Sequence, residues 1–305
     1  MSRVKTDIES GSIVGDLSSQ RVSINKAYKM FVGGAFVRSE SGRYFQVEGK
    51  GGADPEKVNY PRGSRKDIRD AVLIAKNALD GWSGRTAFNR SQILYRLAEV
   101  MESRTEELIT SLLRSGISSD ARAEVNASID RTVYYAGFCD KYYALLASSN
   151  PVAGPHFGFS VPEPVGVIGI GAPETPSLLG LVSTVLPIIA GGNTCVAVAS
   201  EKDPRTAVVF SECLATSDLP GGVANIVTGL FSELVPALSK HREVSGLDVW
   251  TNNADILAQV ERDGADNIKR VKTHRVDGHP FATSQGLTYI ENFQETKSVW
   301  HPAGL

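Results

Sequence analysis

Short β-branched runs alternate with longer segments of helical period in the second half of the chain. Val165–Ile170, Thr194–Ala199 and Val223–Val227 are largely apolar and five or six residues long, with Gly or Pro next to the first and third. They predict buried strands. Between the first two, Leu178–Ala190 has helix length and a continuous apolar face, with Pro187 near its end as an expected kink. Strand–helix–strand alternation predicts parallel βαβ units, hence an α/β, doubly wound, Rossmann-like sheet. Ligands of such sheets sit at the strand C-termini.

Upstream the pattern is helical. Tyr28–Val37 predicts a hairpin turning at Gly33-Gly34. Ser64-Arg65-Lys66-Asp67 reads as a capping box, followed by Ile68, Ala71, Val72, Ala75, Ala78, Leu79 and Trp82 at helical spacing. A second helix starts near Asn89, with Ile93, Leu94, Leu97, Ala98 and Met101 on one face. A third is expected to be capped by Thr105 and ended by Gly116. A fourth carries Val125, Ile129, Val133, Ala136 and Tyr143. Asn150–Pro162 is a Gly/Pro-rich connector with room for one strand, His156–Val161. Past Gly229 the pattern predicts a helix at Glu233–Lys240, a strand at Val244–Trp250 and a helix at Asp255–Ala265. An exposed basic loop at Lys269–His279 and an extended segment at Ile290–His301 complete it. The boundaries implied are a loosely held tail over 1–25, a nucleotide-binding-type domain over 26–268, and a linker with a terminal strand over 269–305.

Composition narrows the function classes. With 305 residues, 22% of them charged, and a formal net charge of -2, nucleic acid is not the expected partner. Cys139, Cys195 and Cys213 are scattered and make no metal or disulfide spacing, and the five histidines offer no metal site. No signal pattern opens the chain and no run is long enough to span a bilayer, so a cytoplasmic protein without membrane contact is expected.

Three blocks carry a resemblance. They are Pro-Val-Gly-Val-Ile-Gly-Ile-Gly-Ala-Pro (164–173), Pro-x-x-Ala-Gly-Gly-Asn-Thr (187–194) and Leu-Pro-Gly-Gly-Val-x-Asn-Ile-Val-Thr-Gly (219–229). In this order and spacing the chain resembles the aldehyde dehydrogenase superfamily. The Gly33-Gly34 hairpin, Arg90 and Glu124-Val125 fall on matching positions. The resemblance runs from about Tyr28 to Trp250, and resumes at Pro280 with Phe293, Lys297 and Val299 in register. In the family a catalytic domain lies between those segments; here about thirty residues join them.

The resemblance therefore implies chemistry that the motifs do not supply. The family's Gly-Gln-x-Cys nucleophile and Glu-Leu-Gly-Gly-Lys base are absent, and the three cysteines read as small buried hydrophobes. The turn that holds the family's oxyanion-binding Asn is here Pro173-Glu174-Thr175-Pro176, one residue shorter. The family's Lys-Pro-Ser-Glu, which holds the adenosine ribose, is Val198-Ala199-Ser200-Glu201. Glu201 is either a ribose acceptor or an exposed loop residue. With Ser200 and Gly229 it makes the candidate cofactor-binding set. The pyrophosphate glycines are replaced around Thr251-Asn252-Asn253, where a Cβ crowds phosphate approach, so NAD binding is expected to be weak or absent. No residue is assigned a catalytic role.

Residues 150–162 match part of the family's subunit-pairing arm. The resemblance implies that the C-terminal strand joins a neighbouring subunit's sheet. The expected function is thus a pseudoenzyme acting as an assembly subunit, oligomerising with itself or with a full-length aldehyde dehydrogenase. A nucleotide-binding regulator using Glu201, or an oxidoreductase with altered chemistry, are the alternatives.

Overall fold

The computed structural model describes residues 26–49 and 57–303; the expected tail over 1–25 lies outside them. Strands β1 (Met30–Val32) and β2 (Ala35–Val37) form the expected hairpin, and Gly33 and Gly34 turn it with φ of +66° and +81°. A two-stranded ribbon, β3 (Tyr44–Glu48) and β4 (Lys57–Pro61), follows. Helix α1 (Arg65–Ser83) starts at the Ser64/Asp67 capping box. Helices α2 (Ala87–Ser103), α3 (Thr105–Ser115) and α4 (Ala121–Phe138) succeed it, with left-handed Gly116 closing α3.

Two local expectations need correction. Thr105 does not cap α3. Only Arg104 separates α2 from α3, so the Thr105 hydroxyl faces the end of α2 and donates to Glu102 O at 2.8 Å. The fourth helix stops at Phe138, and Tyr143 belongs to a separate turn, α5 (Tyr142–Leu146).

The connector folds as β5 (Ser148–Asn150) and a nine-residue strand β6 (His156–Pro164). The βαβ pattern then unrolls as β7 (Val167–Gly171), α6 (Ser177–Ala190), β8 (Thr194–Val198), α7 (Pro204–Ala215), β9 (Ala224–Val227), α8 (Phe231–Ser239), β10 (Val244–Trp250) and α9 (Ala254–Ala265). Where an exposed basic loop was expected, Arg270–His274 forms β11, parallel to β10. Among the described residues it is an edge strand paired with β10 alone, so its polar residues can stay half-buried. Helix α10 (Leu287–Glu291) and strand β12 (Gln294–Pro302) follow, so Ile290 and Glu291 are helical rather than extended.

The main sheet has the order β11-β10-β7-β8-β9-β1-β2. Its five βαβ strands are parallel, and the β1–β2 hairpin adds antiparallel to β9, making a mixed seven-stranded sheet. Alternate side chains feed two cores. Ile168, Ile170, Cys195, Ala197 and Ile226 face the layer of α2, α4, α6 and α7. Val167, Val196, Val198, Val227 and Leu247 face α1 and α8.

A separate three-stranded sheet has the order β12-β6-β5. Strand β12 pairs with β6 along nine residues, from Gln294 opposite Pro164 to Pro302 opposite His156. The terminal strand expected to join a neighbour's sheet is therefore paired within its own chain, with the Ser160 and Ser298 hydroxyls 2.7 Å apart across the register. Asn193 ties this sheet to the main one. Its Oδ1 accepts from Gly166 N and its Nδ2 donates to Phe293 O, both at 2.9 Å.

Candidate functional site

The C-terminal ends of β7, β8, β9 and β10 are where an open α/β sheet places its ligand, because four helix N-termini converge there with unpaired N–H groups. In this chain each of those helices receives an acceptor from the chain's own side chains. Glu124, on α4 and buried, accepts from Leu178 N at 2.8 Å and Leu179 N at 3.3 Å in the first turn of α6. Asp203 caps α7, accepting from Thr206 N at 3.2 Å, and also takes the Ser177 hydroxyl at 2.7 Å. Glu201 accepts from Phe231 N, the first residue of α8. Asn253 accepts from Asp255 N and Ile256 N at 3.0 and 3.2 Å on α9.

The loop after β8 is closed in the same manner. Glu174 accepts from the Ser200 hydroxyl at 2.7 Å and from the amides of Glu201 and Lys202 at 3.2 and 3.1 Å. Ser200 in turn accepts from Lys202 N and Asp203 N, and it is 4% exposed. Burial raises the Glu201 carboxyl above its ordinary value of 4.5, with Glu174 and Glu233 adding to the rise against the Phe231 amide. Burial likewise raises Asp203, against hydrogen bonds from Thr206 and Ser177.

The sequence-derived cofactor set lies close together but is internally engaged. Glu201 is half-buried, so the plain exposed-loop reading does not describe it, and its carboxylate is on the α8 amide. Ser200 is inside the Glu174 knot. Gly229, at φ +154°, lies where a Cβ would meet Leu234 Cδ1 at 2.8 Å and Gly63 N at 2.9 Å. Packing against Gly63 thus accounts for this glycine. At the β10 end, Asn252 Oδ1 accepts from Val276 N and Asp277 N at 3.0 and 3.2 Å, folding the following loop over the strand. Asn252 and Asn253 thus engage amides here, where the pyrophosphate fit needs glycine and free N–H groups. The residues present do not make that cradle.

An aromatic and acidic cluster covers the same end of β10. Trp250 stacks on His274 with ring centroids 3.9 Å apart and touches Phe281 at 5.3 Å. Buried Asp248 accepts from Trp250 Nε1 at 2.9 Å and lies 3.2 Å from His274 Nε2. Arg131, 1% exposed, donates to Ser183 Oγ at 2.6 Å, Phe281 O at 2.8 Å, Gln285 Oε1 at 3.0 Å and Ala282 O at 3.4 Å. It pins the 281–285 segment onto α4 and α6.

The three thiols are fully buried, and burial pushes Cys139, Cys195 and Cys213 each up to about 12. A thiol held there carries almost no thiolate at neutral pH. Sequence reasoning overlooked Asp203 and the roles of Glu124 and Glu174. Asp203-Pro204, an N-cap followed by Pro at the first helical position, was a legible signal. Glu124 and Glu174 act over separations of 54 and 26 or more residues, and no local pattern reveals them.

Comparison with known proteins places this architecture. Residues 36–274 match the aldehyde dehydrogenase family. Hydroxyisobutyraldehyde dehydrogenase of Mycolicibacterium austroafricanum is 33% identical over 245 residues, covering 79% of this chain and 47% of that protein. The mouse mitochondrial 10-formyltetrahydrofolate dehydrogenase is 30% identical over 283 residues, 88% of this chain and 30% of that protein. The solved NAD-dependent aldehyde dehydrogenase of Sinorhizobium meliloti superposes with a TM-score of 0.75 at 28% identity, covering 81% of this chain and 49% of that one. The chain thus spans half or less of the length of these relatives, and its sheet is that of their nucleotide-binding part. On the match over most of its length, this chain belongs to the aldehyde dehydrogenase family.

Proposed function

We propose that this chain is a non-catalytic assembly subunit of the aldehyde dehydrogenase family, associating with itself or with a full-length member. The observation that carries the reading is the three-stranded sheet β12-β6-β5. Among the described residues its outer edges on β12 and β5 have no partner strand. It also exposes large apolar side chains, with Phe157 at 53% and Trp300 at 68% exposure, and Tyr143 and Leu145 of neighbouring α5 exposed as well. Open strand edges and exposed aromatic residues are what strand addition and subunit contact use.

The strand-end site supports the non-catalytic half. Its helix N-termini hold the chain's own carboxylates and amide, and the cysteines are buried with raised pKa values. Between β10 and Pro280 the described residues hold only α9, β11 and a loop, so the family's nucleophile motif has no counterpart there. Binding of NAD is proposed to be weak, since a dinucleotide must displace Glu201 from Phe231 N and Asn253 from α9.

Catalysis is tested by assaying the full chain on short and long aldehydes with NAD and NADP. No turnover is expected. Turnover lost on Cys139→Ala, Cys195→Ala or Cys213→Ala contradicts the reading. Micromolar NAD affinity that falls on Glu201→Ala supports the regulator alternative instead.

A further inference from the structure

A second concavity lies beside the N-terminus of α7, with its own set of lining residues. A cavity of about 890 Å³ opens between the β3–β4 ribbon, the segment leading into β1, the end of β2, the last turn of α3 and the first turn of α7. It shares no lining residue with Glu174, Ser200, Glu201 or Gly229. Its volume is that of a small-molecule site.

The charge on its walls, among the described residues, is one-sided. Six of its described lining residues are Lys or Arg and none is Asp or Glu. Lys26 is ion-paired to Glu212 at 2.6 Å, and Arg205 sits over the Tyr28 ring at 5.4 Å. Arg38, Arg43 and Lys57 are exposed, and none of the carboxylates among the described residues pairs with them. Arg114, at the end of α3, adds a further positive charge. Like charges held together on the wall of one concavity repel, and an anion relieves that repulsion.

The remaining wall is aromatic. Tyr28 and Tyr60 lie 4.8 Å apart, and Tyr44 is 62% exposed on β3. Burial raises the Tyr60 phenol despite Arg205 beside it, so it stays a neutral hydrogen-bond donor. Tyrosine faces beside a cationic rim suit a flat ring that carries phosphates.

We propose that this cavity binds a polyphosphorylated ligand with a flat ring, of the nucleoside di- or triphosphate kind. Arg38, Arg43 and Lys57 hold the phosphates, and Tyr44 takes the ring. An extended nucleic acid is the less favoured occupant, because the chain carries a net charge of -2.

Isothermal titration of the full chain with ATP, inorganic tripolyphosphate and a uridine oligonucleotide tests this. ATP is expected to bind, and the double variant Arg43→Glu/Lys57→Glu to weaken it by about tenfold or more. Tyr44→Ala is expected to weaken ATP by about fivefold while leaving tripolyphosphate within about twofold. All three side chains are exposed, so unchanged melting of the variants shows that the fold persists. Absence of ATP binding at millimolar concentration overturns the proposal, as does an ATP affinity that ignores the charge reversal. An oligonucleotide that binds more tightly than ATP with the same dependence on Arg43 and Lys57 also overturns it, in favour of a nucleic-acid surface.

Discussion

The strand ends of the main sheet and the three-stranded sheet make opposite use of unpaired backbone. At the strand ends, four helix N-termini that could receive an anionic ligand instead receive Glu124, Asp203, Glu201 and Asn253. At the β12-β6-β5 sheet, two strand edges have no partner among the described residues, and the Phe157 and Trp300 rings are exposed. An internal acceptor satisfies a helix end without recruiting a ligand, whereas an open strand edge is satisfied only by water or by another chain. One fold can thus satisfy its helix ends from within and still present strand edges and aromatic rings at its surface.

The largest expected effect tests what joins the two regions. Arg131 holds the 281–285 segment, which leads from the main sheet toward β12, through three neutral acceptors on it and a fourth, Ser183 Oγ, on α6. Replacing it by methionine fills similar space but leaves buried carbonyls and hydroxyls unpaired. A loss of roughly 3 kcal/mol in urea unfolding is expected for Arg131→Met. A loss below about 1 kcal/mol means that the segment is held elsewhere, chiefly by Phe281 against Trp250.

A smaller effect probes the inward-facing carboxylates. The Glu201 pKa is raised in the folded chain, first by burial and then by Glu174 and Glu233. A raised folded value gives stability that is complete below the ordinary 4.5 and lost as pH rises through the higher value. Glu212 runs the other way: hydrogen bonds from Lys26 and Arg104 overcome its burial and lower it, so its contribution is lost as pH falls through the lowered value. Glu201→Gln keeps an acceptor for Phe231 N and removes the titration. The variant is therefore expected to gain on the wild type as pH rises above the ordinary value, in paired thermal melts across that range. Parallel melting curves for the two proteins break the account of Glu201.

Much of this frame was legible in the sequence because its signals are local. β7 is a β-branched run between glycines and β8 one that follows Gly191-Gly192-Asn193, Ser64 and Asp67 form a four-residue cap, and Gly33-Gly34 is a hairpin turn. β11 escaped because Arg-Val-Lys-Thr-His is polar, as an edge strand can be, and reads as loop. The β3–β4 ribbon escaped for a related reason: most of its side chains are exposed or half-buried. Glu201 was located at the right strand end, but its partner, Phe231, lies thirty residues on and was invisible to pattern. The terminal strand was recognised as extended, yet its pairing with β6 depends on a register spanning more than a hundred residues.

Assembly through the outward-facing sheet is the proposal on which the function rests. Its most direct test is the mass of the natively purified full chain by sedimentation, beside the variant Phe157→Glu/Trp300→Glu. Both rings are largely exposed, so the substitutions are expected to change stability by no more than about 0.5 kcal/mol. The wild type is expected to be at least a dimer, closed by two-fold symmetry if homomeric, or to retain a full-length aldehyde dehydrogenase. The variant is expected to be a folded monomer. A wild type that sediments as a well-behaved monomer with no partner contradicts the claim, and so does an oligomer indifferent to both charges.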